Sequence, residues 1–557
     1  MIINWADFKA GALAGGADID VRVDICIVGG GAAGLTLADA LRGSGLTVLV
    51  LEAGGLKQTA AAQEPYRGEV VDPASHPWLE HFRVRAIGGA SRAWGGRCLP
   101  FDPIDFETRP WVPGPGWPIG LQSLTEDYEA AQVAAEAGPF DYDPASALPG
   151  AQAEFAPGLD GPDIVTRLER FSRPTNFWTR FGEILAKDPL VHVLMDAPTL
   201  AIRLAPDGGA VDHLDVRSPD GATVQVRARH YVIAAGGLES VRLMLASDDV
   251  RPCGVGGESG HLGRYYMSHL AATAGLVTFS DPAHVAFDYA VDAAGVYVRR
   301  RLTLTAAAQR RTGALNIAFR THLPNPADPA HGDAVLSAMY LVKDLILYEY
   351  SRKLREQRPT AGLLARHLGN VARNPWALAR FSRRWVEKRI LADRKLPSVV
   401  LGSPTGEYAL EFHAEQAPNP DSRLTLSEAR DQLGQRRLRV DWRMTEQDAQ
   451  SLKGAYGVLA AELARTGTGV LKYEPDDVVA RARAEGAYGG HHIGAARMSA
   501  APGDGVVDSQ CRVHGIGNLH MASTAVFPTS GQANPTLTLL ALTQRLAARL
   551  RHEITGR

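Results

Sequence analysis

The sequence predicts an α/β protein with a doubly wound parallel sheet and a second domain built on an antiparallel sheet and helices. The apolar run Val21–Val28 leads directly into the glycine-rich Gly29–Gly34. A helical pattern follows, and a second apolar run, Leu46–Leu51, ends at an acidic residue. Strand, glycine turn, helix and strand in this order are typical of a Rossmann-type βαβ unit. Later segments alternate with turns, including a predicted hairpin turn at residues 431–434, which indicates antiparallel strands. Residues 101–189 are rich in Pro, Gly and Trp and are expected to be irregular with short helices.

The chain has 557 residues, which favours two or three domains. Lys and Arg number 59 against 61 Asp and Glu, so the overall charge gives no reason to expect nucleic acid or acidic substrates. No apolar run is long enough for a transmembrane helix. The segment Met1–Asp20 lacks the pattern of a signal peptide, so we expect a cytoplasmic protein, although export with a partner subunit stays open. The four cysteines are scattered and form no CxxC pair, so we expect neither a disulfide framework nor a cysteine-held metal. No metal ligands are predicted.

The first motif is the glycine pattern of the βαβ unit. Its glycines allow a tight turn, close approach to a pyrophosphate and close packing of helix on strand, and Glu52 follows the second strand to accept hydrogen bonds from a ribose. The alternative is an ordinary βα turn without a ligand. The motif alone does not distinguish NAD from FAD. Its residues are Gly29, Gly31, Ala32, Ala33, Gly34, Glu52 and Ala53.

Two further segments are candidates for the same ligand. Gly88–Arg97 places four glycines around Trp94, so this loop can lie against a flat group, or Trp94 can be a buried anchor of a surface loop. Ala235 and Gly236 follow the strand Tyr231–Ile233 and open a helix, which is also the pattern of a plain strand–helix connection.

The fourth segment lies near the C-terminus and contains His491-His492 and, later, Asn534-Pro535-Thr536. A histidine of near-neutral pKa can remove a hydroxyl proton while hydride leaves the same carbon. An isolated histidine is more often packed or on the surface. Asn534 before Pro535 also fits a helix N-cap, and such a helix would direct its positive end toward an anionic group.

Residues 344–395 form a basic helical insertion, and Ser351–Lys395 holds 13 Lys and Arg against 3 Asp and Glu. Its apolar residues can form one face of an amphipathic helix. A solvated lid or an oligomer contact is one interpretation. A surface for anionic lipid or for an acidic electron-accepting partner is the other.

Together, these motifs in this order resemble the glucose–methanol–choline (GMC) family of FAD-dependent oxidoreductases, over nearly the whole chain. The Gly-Gly-x-Ser-x-x-Trp loop, His-His-x-Gly-x-x-Arg-Met and Asn-Pro-Thr-Leu-Thr are most similar to its branch of pyranose 2-oxidase and glucoside 3-dehydrogenase. The resemblance implies a discontinuous FAD domain and a substrate domain with an antiparallel sheet. The FAD domain comprises residues 1–110, 190–268 and 480–557, and the substrate domain comprises residues 111–189 and 269–479.

By the same resemblance, His491 is the catalytic base and Asn534 holds the substrate oxygen, with His492 as the second candidate base. Ala93 stands where pyranose 2-oxidase carries the histidine that bonds covalently to the flavin, so we expect non-covalent FAD. The remaining cofactor contacts implied are Gly89, Ser91, Trp94, Gly95, Gly96, Ala235, Gly236, Thr524, Pro535 and Thr536.

The predicted reaction is oxidation of a secondary alcohol on a sugar or glycoside to a ketone, with hydride transfer to flavin N5. The electron acceptor stays open between oxygen and a quinone or cytochrome-type acceptor. The alternatives are an FAD-containing lyase of the same fold, a catalytic subunit that depends on an electron-transfer partner, and a nicotinamide-only dehydrogenase. The last leaves the C-terminal histidine and asparagine without a role.

Overall fold

The computed structural model describes residues 2, 3, 5, 8, 20–343, 360–403 and 405–556. Its strands are β1 (Ile2–Ile3), β2 (Asp20–Val28), β3 (Val48–Leu51), β4 (Glu69–Val70), β5 (Arg97–Cys98), β6 (Ile164–Phe171), β7 (Val191–Leu194), β8 (Thr199–Leu204), β9 (Val211–Arg217), β10 (Thr223–Ile233), β11 (Leu270–Phe279), β12 (Tyr289–Val291), β13 (Tyr297–Leu304), β14 (Ile317–His322), β15 (Glu407–Ala414), β16 (Arg423–Arg430), β17 (Arg436–Asp441), β18 (Gly469–Lys472) and β19 (Leu519–Met521).

The helices lie between these strands and after the last of them. They are α1 (Ala32–Leu41), α2 (Ala60–Gln63), α3 (Thr125–Ala135), α4 (Pro144–Ala147), α5 (Phe177–Ala186), α6 (Gly236–Ala246), α7 (Ala306–Thr312), α8 (Ala334–Leu341), α9 (Ala361–Arg373), α10 (Pro375–Trp385), α11 (Glu446–Thr466), α12 (Pro475–Glu485) and α13 (Thr536–Thr555).

The first sheet has the order β1-β7-β3-β2-β10-β9-β8, with β19 also beside β10. Strands β1, β7, β3, β2, β10 and β19 pair in parallel, whereas β8 and β9 extend the sheet as an antiparallel arm. The predicted βαβ unit is confirmed as β2, α1 and β3. All four residues of β3 are buried, as expected of a parallel strand covered on both faces.

The second sheet is antiparallel and has the order β18-β11-β15-β14-β13-β6-β5, with β12 beside β13. Its apolar face packs on α11. The rings of Phe319 on β14 and Phe412 on β15 lie 5.3 and 5.9 Å from the ring of Tyr456 on that helix. Because side chains alternate along a strand, the opposite face of this sheet, which carries His413, is free to meet other elements.

A small third sheet joins β16, β17 and β4. The predicted hairpin turn at residues 431–434 connects β16 to β17, and the Gly434 amide donates to the Asp431 carbonyl at 2.9 Å. The Asp431 carboxylate accepts from the buried Arg242 of α6 at 2.6 Å, which fixes the hairpin on the first sheet's helical layer.

Two strands differ from the sequence-based expectation. The region 101–189 was expected to be irregular with short helices, but it contains the eight-residue strand β6. Strand β5 lies within the segment 1–110 that was assigned to the FAD domain, yet it pairs with β6 of the second sheet. Strand β5 is two residues long, and β6 contains three charged residues, so both are identified by their partners more than by their composition. The division into domains itself stays a prediction.

Part of the basic insertion, residues 344–359, lies outside the described residues. The remainder forms α9, α10 and a π-helical turn, Val386–Leu391. Leu363 and Leu364 pack against Ala327 and Tyr340, so one face of α9 is covered. Among the residues that the structure describes, no helix is both long and apolar enough to span a membrane.

Candidate active site

The glycine turn after β2 is shaped by close contacts on two sides and open space on the third. Gly29 has φ +111°, and a Cβ added there would lie 2.5 Å from the Ala234 carbonyl oxygen. A Cβ on Gly34 would lie 1.9 Å from the Gly29 oxygen, so helix α1 packs directly against the turn. A Cβ on Gly31, at the N-terminus of α1, would meet no atom within 4 Å. The backbone is therefore accessible where a pyrophosphate would approach.

Glu52 lies at the end of β3 and is almost completely buried. Its two carboxylate oxygens accept from the amides of Gly30, at 2.8 Å, and Gly54, at 2.7 Å. Burial raises the pKa of Glu52, and the hydrogen bonds from the Gly54 and Gly30 amides act in the opposite direction. The carboxylate thus fixes the glycine turn, and its remaining lone pairs are the ones available to a ribose.

The loop Gly88–Arg97 lies directly against this turn. The Gly88 amide donates to the Gly30 oxygen at 2.7 Å, and a Cβ on Gly89 would lie 3.0 Å from Gly31 Cα. Ser91 Oγ donates to the Gly88 carbonyl at 2.6 Å. Trp94 is half-buried, and its Nε1 donates to a backbone carbonyl at 2.8 Å. Gly95, like Gly31, has open space around it.

The third predicted segment is at the same edge. Ile233 pairs with Val28, so β10 and β2 end side by side. Helix α6 begins at Gly236, next to Ala235, and its N-terminus joins that of α1 at the carboxyl edge of the parallel sheet. This edge is where doubly wound folds bind dinucleotides. A Cβ on Gly237 would lie 2.3 Å from the His492 oxygen, which places the histidine pair against α6.

The predicted catalytic pair is in contact. Asn534 Nδ2 donates to His491 Nε2 at 3.1 Å, and His491 Nδ1 lies 2.8 Å from His269 Nδ1. Because Nε2 accepts from the amide, a neutral His491 carries its proton on Nδ1 and donates it to His269. The lone pair of His491 Nε2 therefore points toward the Asn534 side-chain amide. This arrangement suits the removal of a proton from a hydroxyl group.

The surroundings keep His491 neutral. Burial lowers the pKa of His491 well below its usual value, and the charges of His269, His492 and Arg97 act in the same direction. Burial also lowers the pKa of His269 to about 4. The ring of His413 lies 4.4 Å from that of His269 and 5.6 Å from that of His491. A neutral imidazole is the form that acts as a base.

Nitrogen atoms of His269, His413 and His491 lie within 4.8 Å of one another, a spacing that could also hold a metal ion. Sequence reasoning missed His269 and His413. His269 directly precedes β11, and His413 is one of the alternating residues of β15. Neither residue is near His491 in sequence. The pairing of β11 with β15 brings His413 to His269, and the bridge between Met267 and Ile493 brings His491 to both.

The second candidate base has a different environment. His492 lies beside Tyr266, with ring centroids 6.3 Å apart, and its carbonyl accepts from Thr524 Oγ1 at 2.5 Å. Burial lowers the pKa of His492, and the charges of Arg83 and His76 add to the effect. The amide of Asn534 bonds to His491, so the geometry favours His491 as the base.

The expected capping role of Asn534 is wrong. Helix α13 begins at Thr536, its N-cap position is Pro535, and the first helical bond runs from the Leu539 amide to the Pro535 carbonyl at 3.0 Å. The Asn534 side chain instead bonds to His491. The physical reason is that Pro535 itself occupies the N-cap position with helical backbone angles, φ −74° and ψ −11°, so the helix begins one residue later than a cap at Asn534 requires.

These features define a class of protein. A dinucleotide site lies at one edge of a parallel sheet, and a histidine–asparagine pair lies between that edge and a second, antiparallel sheet. The open space at Gly31 and Gly95 and the paired helix N-termini fit the phosphates and ring of FAD. This is the arrangement of a flavin-dependent oxidoreductase.

Comparison with known proteins agrees with this class. Residues 418–543 match the family model described as GMC oxidoreductase, and residues 27–79 match the NAD(P)-binding Rossmann-like domain. The chain is 24% identical to 6'''-hydroxyparomomycin C oxidase of Streptomyces lividus, over 93% of this chain and 89% of that protein. It is 23% identical to paromamine 6'-oxidase of Streptomyces fradiae, over 97% of this chain and 93% of that protein.

The fold has solved counterparts as well. An FAD-dependent oxidoreductase from Chaetomium thermophilum superposes with a TM-score of 0.53 at 18% identity, covering 96% of this chain and 100% of that one. Residues 418–543 are thus similar to the GMC oxidoreductases, and the similarities together support an FAD-dependent oxidoreductase that acts on CH–OH groups.

Proposed function

We propose that the protein oxidises a secondary alcohol of a sugar or glycoside to the ketone. The observation that carries the proposal is the position of His491 between Asn534 Nδ2 and His269 Nδ1, at 3.1 and 2.8 Å. The two relatives named for oxidation of paromamine and a hydroxyparomomycin support a sugar-like substrate.

In the proposed reaction, the substrate hydroxyl lies where Asn534 now contacts His491. The hydroxyl donates to His491 Nε2 and accepts from Asn534 Nδ2, so the oxygen is held while its proton leaves. The proton on Nδ1 stays directed at His269, which stabilises the imidazolium once it forms. General-base assistance of this kind contributes typically ~10²–10⁴-fold to the rate. FAD, when bound, supplies the acceptor for the hydride that leaves the carbon.

The cofactor would lie along the glycine turn, the loop Gly88–Arg97 and the start of α6. Residues of three separate segments meet there, which supports a discontinuous FAD domain. Ala93 is exposed and has no nucleophilic atom, so we propose that FAD is held without a covalent bond.

The experiment is an anaerobic visible spectrum of the holoenzyme before and after addition of sugars, glycosides and aminoglycosides. Loss of the oxidised-flavin band with one class of compound identifies the substrate class. Analysis of the product as a ketone or an aldehyde tests the site of oxidation. Admission of air then separates an oxidase from a dehydrogenase. A flavin that no alcohol bleaches would contradict the proposal and favour the lyase or partner-dependent alternatives.

A further inference from the structure

The face of the second sheet that carries His413 is rich in arginine. Ala318 pairs with His413, Arg320 pairs with Glu411, and Arg299 pairs with Glu169. Residues that pair directly across two strands lie on the same face of the sheet, and so do every second residues along one strand. These pairs therefore lie on one surface. We call it the arginine face, and its charged members include Arg97, Arg167, Arg299, Arg301, Arg320, Glu169 and Glu411.

Most of these charges are matched. Glu169 forms an ion pair with Arg97, whose Nε lies 2.7 Å from the carboxylate, and accepts from Arg320 Nη1 at 3.1 Å. Glu411 accepts from Arg320 Nε at 3.1 Å. In the part of the chain that the structure describes, Arg299 forms no salt bridge, and it donates to two backbone carbonyls, at 2.6 and 3.2 Å. The face thus carries more guanidinium groups than carboxylates.

Arg301 is the unmatched member. Its side chain is 4% exposed, it makes no salt bridge within the described ranges, and its Nε has no hydrogen-bond partner there. Its Nη1 donates to the side-chain oxygen of Gln532. Burial lowers the pKa of Arg301, and the charges of Asp102 and Glu169 act in the opposite direction. A buried cation without a direct counter-ion is costly, so a site of this kind is completed by an anion.

Arg301 is connected to the catalytic residues through Gln532. The Gln532 carbonyl accepts from His413 Nδ1 at 2.6 Å, and Gln532 stands two positions before Asn534. The Gln532 Nε2 donates to Asp102 at 3.0 Å, so this carboxylate is engaged by the glutamine rather than by the guanidinium. An anion bound at Arg301 would therefore be held beside the histidine–asparagine pair.

We propose that the substrate carries an oxyanion group, as in a sugar acid or a sugar phosphate, and that Arg301 binds this group. The inference rests on the proposed function, since it concerns the substrate of the same site. Guanidinium and oxyanion form paired charge-assisted hydrogen bonds, which explains why arginine occupies a buried position here. The arginine face makes a cationic sugar the poorest of the possible substrates.

The test measures anaerobic flavin bleaching by the FAD-loaded enzyme with glucose, glucuronate, glucose 6-phosphate and glucosamine. We expect an acidic sugar to half-saturate the enzyme at a concentration at least about tenfold below that of glucose, and glucosamine to be weakest. Comparison of glucuronate with glucose 6-phosphate shows whether the site prefers a carboxylate or a phosphate. Equal half-saturation by glucose and both acids would overturn the proposal.

Two variants locate the effect. R301Q should raise the half-saturating concentration of the acidic sugar at least about tenfold and change that of glucose little, and R301K should retain part of the preference. The matched control is R300Q, because Arg300 is equally buried, lies on the other face and donates to backbone carbonyls. If R301Q slows glucose and the acids equally, Arg301 only positions Gln532, and the proposal is wrong.

A binding measurement tests the anion site at Arg301 independently of the proposed oxidation. It uses the wild-type protein, so it does not depend on the folding of the variants. Acetate and inorganic phosphate are titrated into the wild-type holoenzyme, and the flavin spectrum reports binding. Saturable binding that added chloride does not reproduce supports the anion site, even if no sugar bleaches the flavin and the proposed oxidation fails. Absence of any saturable anion binding would count against Arg301 as an anion site whatever the sugars do.

Discussion

The Nδ1 atoms of His269 and His491 lie 2.8 Å apart, so one imidazole orients the other. A carboxylate usually does this in enzymes that use histidine as a base, and here a second neutral histidine replaces it. The exchange of a charged partner for a neutral one removes a group that would raise the pKa of the base.

The first prediction concerns the base itself. His491→Ala should bind FAD normally and lose at least about 10²-fold in the rate of flavin bleaching, because the hydroxyl proton has no acceptor. The measurement is the anaerobic bleaching rate with the best substrate of the panel. His492→Ala is the control and should retain most of the rate. A near-normal bleaching rate in His491→Ala would show that His491 is not the base.

The second prediction concerns the orienting histidine. His269→Leu removes the acceptor for His491 Nδ1 and should lower kcat by at least about tenfold with little change in KM. His269→Gln keeps an acceptor oxygen and should restore part of the rate. If both variants lose the same rate, or if only KM changes, His269 has only a packing role.

The third prediction follows from the lowered pKa of His491. The base must be neutral, and its pKa lies well below 6.5, so kcat/KM should stay constant as pH falls through that value. The decline should begin only near the lowered pKa, provided the fold persists there. A midpoint at 6.5 or above would show that the histidine is charged near neutrality in the working enzyme, contrary to expectation.

The fourth prediction uses two glycines of one turn. A Cβ on Gly34 would lie 1.9 Å from the Gly29 oxygen, so Gly34→Ala should lower the free energy of unfolding by about 1–3 kcal/mol. Gly31→Ala meets open space and should leave the unfolding of the FAD-free protein unchanged while it weakens FAD binding. Thermal unfolding with and without FAD distinguishes the two effects. Equal FAD affinity in Gly31→Ala would exclude the proposed pyrophosphate position.

The fifth prediction concerns helices α9 and α10 and the turn after them. Residues 360–395 contain nine Lys and Arg against two Asp and Glu, and Leu368, Trp376 and Leu391 are exposed among them. We expect flotation with vesicles containing anionic lipid and none with neutral vesicles. Trp376→Ser should weaken it, and Val133→Ser, at an exposed valine of α3, should not. Flotation unaffected by Trp376→Ser would contradict this role for the segment.

The sequence predicted the local parts of the structure well. The glycine turn, its flanking strands and the hairpin at residues 431–434 depend on contacts between neighbours in the chain, which short patterns describe. Whether FAD is held without a covalent bond stays a prediction, and release of free flavin on denaturation would test it. The pair His491 and Asn534 came from the resemblance to a family.

Other parts were beyond such reasoning. Arg299, Arg300 and Arg301 are adjacent in the sequence, and all three are buried in the structure. The His269–His491 contact joins residues 222 positions apart. Burial and partners of this kind are properties of the assembled sheet, and no local pattern encodes them.

Strand β5 begins one residue after the glycines of the loop that contacts the dinucleotide turn. The loop therefore continues without a break into the edge of the second sheet. The Gly96 carbonyl also accepts from the Ser172 amide at 2.7 Å, which attaches the end of the loop to that sheet. A ligand that orders the loop therefore also orders that edge, and the two domains should gain protection from hydrogen exchange together when FAD binds. Loading of the cofactor would then be the final step in the maturation of the substrate-binding half.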